Sequence, residues 1–94
     1  MLKLELRRSS IEVIADILRL GESGKTNIMY TANLSYYQLE KYIDMLLKLQ
    51  LMEVGIVENR LVNYRVTQKG FELLHNIDTM LDMLGETSSP LSQS

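Results

Sequence analysis

The chain has 94 residues, 46% of them hydrophobic and 23% charged, with a formal net charge of −2; this suits one packed domain and neither a disordered chain nor two independent cores. It has no cysteine and one histidine, which removes disulfides, thiolate metal sites and cysteine nucleophiles and leaves most zinc geometries short of ligands, so neither an enzyme nor a cofactor or metal is expected. No apolar run approaches the ~20 residues of a membrane span, and the charged opening Met1-Leu2-Lys3-Leu4-Glu5-Leu6 is too short for a signal sequence, so a cytoplasmic location is expected.

Ser9-Ser10-Ile11-Glu12 has capping-box spacing and predicts the start of a helix. Ile11, Ile14, Ala15 and Leu18 recur at intervals of three and four, Val13 and Ile17 widen the buried face, and Gly21 stops the helix. Gly24-Lys25-Thr26 opens a shorter helix to about Thr31, anchored by Ile28, Met29 and Ala32, with Asn33-Leu34 as the turn after it. Ser35 caps the next helix with Gln38 as reciprocal partner. That helix runs to about Leu49-Gln50 and buries Leu39, Ile43, Leu46 and Leu47, with Tyr36 and Tyr42 expected on the same face. The period then changes to two. Met52, Val54 and Ile56, then Val62, Tyr64 and Val66, predict two strands with one buried face each, joined by the polar turn Glu58-Asn59-Arg60 into a hairpin. Thr67 caps a last helix, about Gln68 to Leu84, which Gly85 ends. Glu86 to Ser94 holds almost nothing to bury and reads as a tail without fixed structure. No internal repeat is present.

The charge is unevenly spread. Residues 1–24 hold four basic and four acidic side chains, residues 25–69 six and four, and residues 70–94 none and four. The middle is therefore mildly basic and the end acidic. Gly21-Glu22-Ser23-Gly24-Lys25-Thr26 resembles the end of a phosphate-binding loop, but the pattern's first glycine would fall at Arg19 and a helix stands where the motif needs a buried strand. An inter-helix loop is the better reading. His75, Asp78 and Asp82 share one side of the last helix at metal-like spacing, yet three weak ligands from one helix favour a solvated face.

Helix, helix, tight turn, helix, hairpin, helix is the order of a winged helix-turn-helix domain. Arg8 to Leu18, the stretch Ile28-Met29-Tyr30-Thr31-Ala32-Asn33-Leu34-Ser35-Tyr36, and Tyr64-Arg65-Val66-Thr67-Gln68-Lys69-Gly70 resemble small archaeal winged-helix proteins, over about residues 5–84. The resemblance implies a mainly α fold with a small β-hairpin (α+β). It implies a winged helix-turn-helix DNA-binding domain over residues 1–67, a C-terminal dimerisation helix over 68–84 and a disordered tail over 85–94. It also implies double-stranded DNA as partner, with a role in transcription regulation or chromatin. Some members of that family dimerise through a long antiparallel coiled coil of the last helix. The last helix here is shorter and acidic, and the net charge is negative, which disfavours sequence-independent coating of DNA.

On that reading the helix from Ser35 enters the major groove and presents Tyr37, Gln38, Lys41, Asp44, Met45 and Lys48. Glutamine can pair with adenine and lysine can donate to guanine, while Tyr37 reaches a phosphate or a thymine methyl. Lys25 and Thr26 meet phosphate at a helix N-terminus, and Arg60 meets a phosphate or the minor groove from the hairpin. Arg7 and Arg8 either clamp phosphates or pack on a partner. Ser35, Gln38, Lys41, Lys48, Tyr37, Lys25, Thr26 and Arg60 are thus the candidate DNA contacts. In the last helix Leu73, Ile77, Met80 and Leu84 have seam spacing, and Phe71, Leu74 and Leu81 cover an adjacent stripe. One stripe is expected in the core and the other in a homodimer interface. The competing reading is a winged-helix protein-interaction module, motivated by the negative charge and five tyrosines.

Overall fold

The computed structural model describes residues 10–85 as α1 (Ser10–Arg19), β1 (Glu22–Gly24), α2 (Lys25–Ala32), α3 (Tyr36–Lys48), β2 (Met52–Glu58), β3 (Leu61–Val66) and α4 (Gln68–Met83). Ser9, Arg7, Arg8 and the segment 86–94 lie outside the described residues, and with them the first capping box and the expected tail. In α1, Val13, Ala15, Ile17 and Leu18 are buried. Ile11 was expected on that face and is exposed; it sits in the first turn, where a helix has neighbours on fewer sides. Gly21, with φ of +78°, ends this element.

The segment expected as a loop between the first two helices instead forms β1. It pairs antiparallel with β3 in the register Glu22↔Arg65, Ser23↔Tyr64 and Gly24↔Asn63. The sheet order is β1-β3-β2. Three residues are too few for an alternating pattern to show, and the partner strand is distant in sequence. Ser23 is buried, and its hydroxyl accepts from the Asn27 amide at 2.6 Å, so the polar group is satisfied.

Short tight ends set the two central helices. Asn33 takes the left-handed conformation after α2, and Leu34 N–H donates to the Met29 carbonyl at 3.0 Å. Ser35 then opens α3 through a full capping box: Ser35 Oγ accepts from the Gln38 N–H at 3.2 Å, and Gln38 Oε1 accepts from the Ser35 N–H at 3.0 Å. At its far end Gln50 is left-handed, and the bonds Gln50 to Leu47 and Leu51 to Leu46 form a Schellman motif. The hairpin turns on Asn59 and Arg60, both at positive φ, the two-residue turn whose twist matches the strands. It is one residue narrower than expected, since Glu58 belongs to β2. Met52 is buried, but Val54, expected beside it, is 49% exposed. β2 is an edge strand of the sheet, with a register shift between Val54 and Val57.

Ile17, Leu18, Ile28, Leu39 and Leu46 are the largest fully buried side chains. Each contributes roughly 1.5–3 kcal/mol by leaving water. Helix α4 closes this core from outside. Thr67 Oγ1 accepts from the Gly70 N–H at 3.1 Å and donates to the Gln50 carbonyl at 2.7 Å, while Lys69 Nζ donates to the Leu49 carbonyl at 3.0 Å. Gly70 is a close crossing: a Cβ there would lie 2.2 Å from the Leu51 carbonyl oxygen and 2.7 Å from Val66 Cγ1. Farther along, Arg19 Nη1 donates to both oxygens of Asp78 at 3.0 Å and ties α4 to α1. Ile77 is buried, and Leu73 and Leu74 pack partly on the core, whereas Phe71, Met80, Met83 and Leu84 are exposed. The residues of α4 therefore do not divide into the two expected stripes. Leu73 and Ile77, placed by spacing on one seam with Met80 and Leu84, are covered within the chain, and the other two are not.

Candidate nucleic-acid interface

Because α3 spends Leu39, Ile43 and Leu46 on the core, the 3.6-residue period turns Tyr37, Gln38, Lys41, Asp44 and Lys48 outward, and all five are exposed. Met45, expected among them, is half-buried and packs against the core. Lys41 Nζ lies 5.1 Å from the centroid of the Tyr37 ring, a cation–π contact that holds both near the start of the helix. Lys48 and Asp44 form an exposed pair at 3.7 Å that contributes little. Lys41, Asp44, Met45, Lys48 and Leu49 line a shallow groove along this face. The capping box uses the oxygen of the Gln38 amide and leaves its two N–H donors outside the box.

Tyr36 departs from expectation. Placed by spacing on the buried face, it is 62% exposed. It occupies the first position of α3, beside the start of α2, where Lys25 Nζ stands 6.0 Å from its ring centroid. Lys25 itself donates to Glu40 Oε2 at 2.6 Å. That hydrogen bond raises the Lys25 ammonium above its ordinary value, against a smaller opposing effect of burial. Glu40 is held below the usual carboxylate range, first by the Lys25 bond and then by one from the Tyr36 phenol. The phenol is raised in turn by donating to that carboxylate. Glu40 is legible in the sequence only through its four-residue spacing from Tyr36, since nothing there places Lys25 next to it.

The remaining candidates are more scattered. Thr26 is exposed in the first turn of α2. Arg60 is exposed at the hairpin tip with φ of +67°, a left-handed position that favours glycine and costs other residues about 1–2 kcal/mol. Among the described residues no group of three or more His, Asp or Glu could hold a metal, and no helix is long and apolar enough to cross a membrane.

A family model described as winged helix-turn-helix matches residues 7–85. The uncharacterized protein MJ0287 of Methanocaldococcus jannaschii is 32% identical over 81 residues, covering 83% of this chain and 78% of that protein. Among solved structures, Sso10a-2, a DNA-binding protein from Sulfolobus solfataricus, superposes with a TM-score of 0.74 at 27% identity, covering 93% of this chain and all of that one. A MarR mutant from E. coli complexed with operator DNA shares the fold at a TM-score of 0.65 and 14% identity, over 82% of this chain and 58% of that one.

Proposed function

Since the chain belongs to the winged helix-turn-helix family, we propose that it is a double-stranded DNA-binding regulator of transcription that works as a homodimer and reads the major groove with α3. The observation that supports this reading is the division of labour on α3. Its apolar residues are used up in the core, and Tyr37, Gln38 and Lys41 stand exposed in its first two turns, directly after a tight turn from α2. These are residue types that read base edges: glutamine for adenine, lysine for guanine. Lys48 and Thr26 flank them as phosphate contacts, with Ser35 setting the helix start. Arg60, kept where glycine is favoured, reaches a phosphate or the minor groove from the wing. Two proteins of the same fold bind DNA: Sso10a-2 is a DNA-binding protein and the MarR mutant is in complex with operator DNA. The role is binding, with no catalytic step.

The dimer rests on α4, whose Phe71, Met80, Met83 and Leu84 are exposed in the single chain. Leu74 and Leu81 are half-covered beside them. A two-fold pair would set two copies of α3 on half-sites about 34–36 Å apart.

Selection of duplexes from a randomised pool tests the reading. The protein enriches a defined site, and Lys41→Ala weakens that site by about 1–3 kcal/mol more than random DNA. Equal weakening reduces Lys41 to a phosphate contact. Affinity falls steeply with salt, by a slope near −0.9 for each phosphate neutralised. A chain that binds no duplex at low salt is instead the protein-interaction module that its negative charge and its exposed Tyr30, Tyr36 and Tyr37 would suit.

A further inference from the structure

We propose that Glu40 is a specificity-determining residue of the DNA-facing surface: by holding Lys25, it withholds a phosphate contact from DNA of arbitrary sequence. The inference rests on the DNA-binding reading and deepens it. Lys25 is the first residue of α2, where N–H groups at a helix start and a lysine together suit a phosphate. Its ammonium is not at large there. Glu40 Oε2 accepts from it at 2.6 Å across the junction between α2 and α3, and the same ammonium stands 6.0 Å from the centroid of the Tyr36 ring. Glu40 is also the sequence neighbour of Lys41 and lies two residues from Gln38, the exposed residues expected to meet bases.

Two consequences follow from charge alone. While the pair is closed, Lys25 and Glu40 together present no net charge, so this corner attracts a phosphate weakly. To engage Lys25, a phosphate must displace Glu40 and leave its carboxylate beside the polyanion, which is unfavourable unless the DNA supplies a donor to it. Cytosine N4 is the major-groove donor that a carboxylate accepts from. The pair thus acts against the wrong ligand more than for the right one, a repulsive element in the sense that specificity requires. Both side chains are more than a third exposed, so the pair adds little to folding and its removal leaves the fold in place.

The test uses the full chain and two probes, a mixed-sequence duplex and the duplex most enriched by the wild type in selection. Glu40→Gln keeps the shape and removes the charge. It should bind the mixed-sequence duplex about three- to tenfold more tightly at low salt, with a salt slope steeper by about 0.9, the value of one added phosphate contact. Its preference for the selected duplex should fall by a similar factor. In a Lys25→Met background the same substitution should bring a clearly smaller gain, that of removing one like charge, with no added phosphate contact in the salt slope. An unchanged slope and affinity in Glu40→Gln overturns the inference while the DNA-binding reading stands. So does an equal gain in the Lys25→Met background, because Glu40 would then be a plain repulsive charge with no hold on Lys25. No binding by any of these proteins to either duplex at low salt overturns both readings.

Discussion

Helices α3 and α4 begin alike and are covered differently. Each is opened by a hydroxyl that accepts from the amide three residues on, Ser35 to Gln38 and Thr67 to Gly70. In α3 the apolar residues Leu39, Ile43 and Leu46 are all at or below 3% exposure, and the rest of the helix is free to be polar. In α4 only Ile77 among the large apolar residues is buried, and Phe71, Met80, Met83 and Leu84 face out. The difference is one of position. Helix α3 lies between α2 and the hairpin, which complete its apolar face, whereas among the described residues α4 packs mainly on α1 and β3. A helix finished by its own chain can spend its outer face on a ligand. One left unfinished has apolar surface to offer another protein chain.

Five substitutions break or sharpen that contrast. Ile77→Asp carries the largest effect, since it puts a carboxylate at a buried position with no partner; it should cost about 4 kcal/mol or more and unfold the chain, as followed by circular dichroism. Met80→Asp, on the exposed side of the same helix, should leave the fold intact and lower the mass seen in sedimentation. A folded Ile77→Asp protein, or one in which Met80→Asp leaves a dimer untouched, removes the distinction drawn between the two sides of α4. Leu46→Ala comes next, at about 2–5 kcal/mol in urea unfolding, against less than about 0.5 for Met83→Ala. Ser35→Ala is smaller again, about 0.5–2 kcal/mol, because it unmakes one side of the capping box without opening a cavity.

The smallest effect is in the pH dependence. Glu40 has its folded value lowered, so its contribution is present above the unfolded carboxylate value and is lost as pH falls through the folded one. Lys25 has its value raised, so its contribution is present below the unfolded lysine value and is lost as pH rises through the folded one. Between those limits the wild type should exceed Glu40→Gln slightly in urea midpoint, and the two should converge in acid. A difference that persists at a pH well below the carboxylate range would mean that Glu40 acts by something other than its charge.

Much of this was legible in the residues, and the particular places where it was not have a common cause. Thr67, Lys69 and Gly70 read as a signature after the wing, and each has a structural use: a cap, a bond to the Leu49 carbonyl, and a crossing too close for a side chain. Asn33 and Ser35 likewise marked the turn into α3 because left-handed backbone and N-caps have strong local preferences. What the sequence hid depends on partners far along the chain. β1 exists through its pairing with β3, and the exposure of Val54 follows from where the sheet ends. Tyr36 keeps helical spacing with Leu39 and Ile43 yet turns to Lys25 and Glu40, a meeting that spacing within one helix does not encode.

The crossing at Gly70 has a consequence at a distance. The sixteen-residue α4 is about 24 Å long, and it pivots where its backbone touches the Leu51 carbonyl and Val66. Any side chain at that pivot must lever the helix outward, and a tilt of about 10° over that length displaces its far end by roughly 4 Å. In a two-fold dimer joined through α4 that error is doubled between the two copies of α3. A residue that never approaches a base would then govern which spacing of half-sites fits, in the way that the hinge of a pair of dividers fixes the distance between its points.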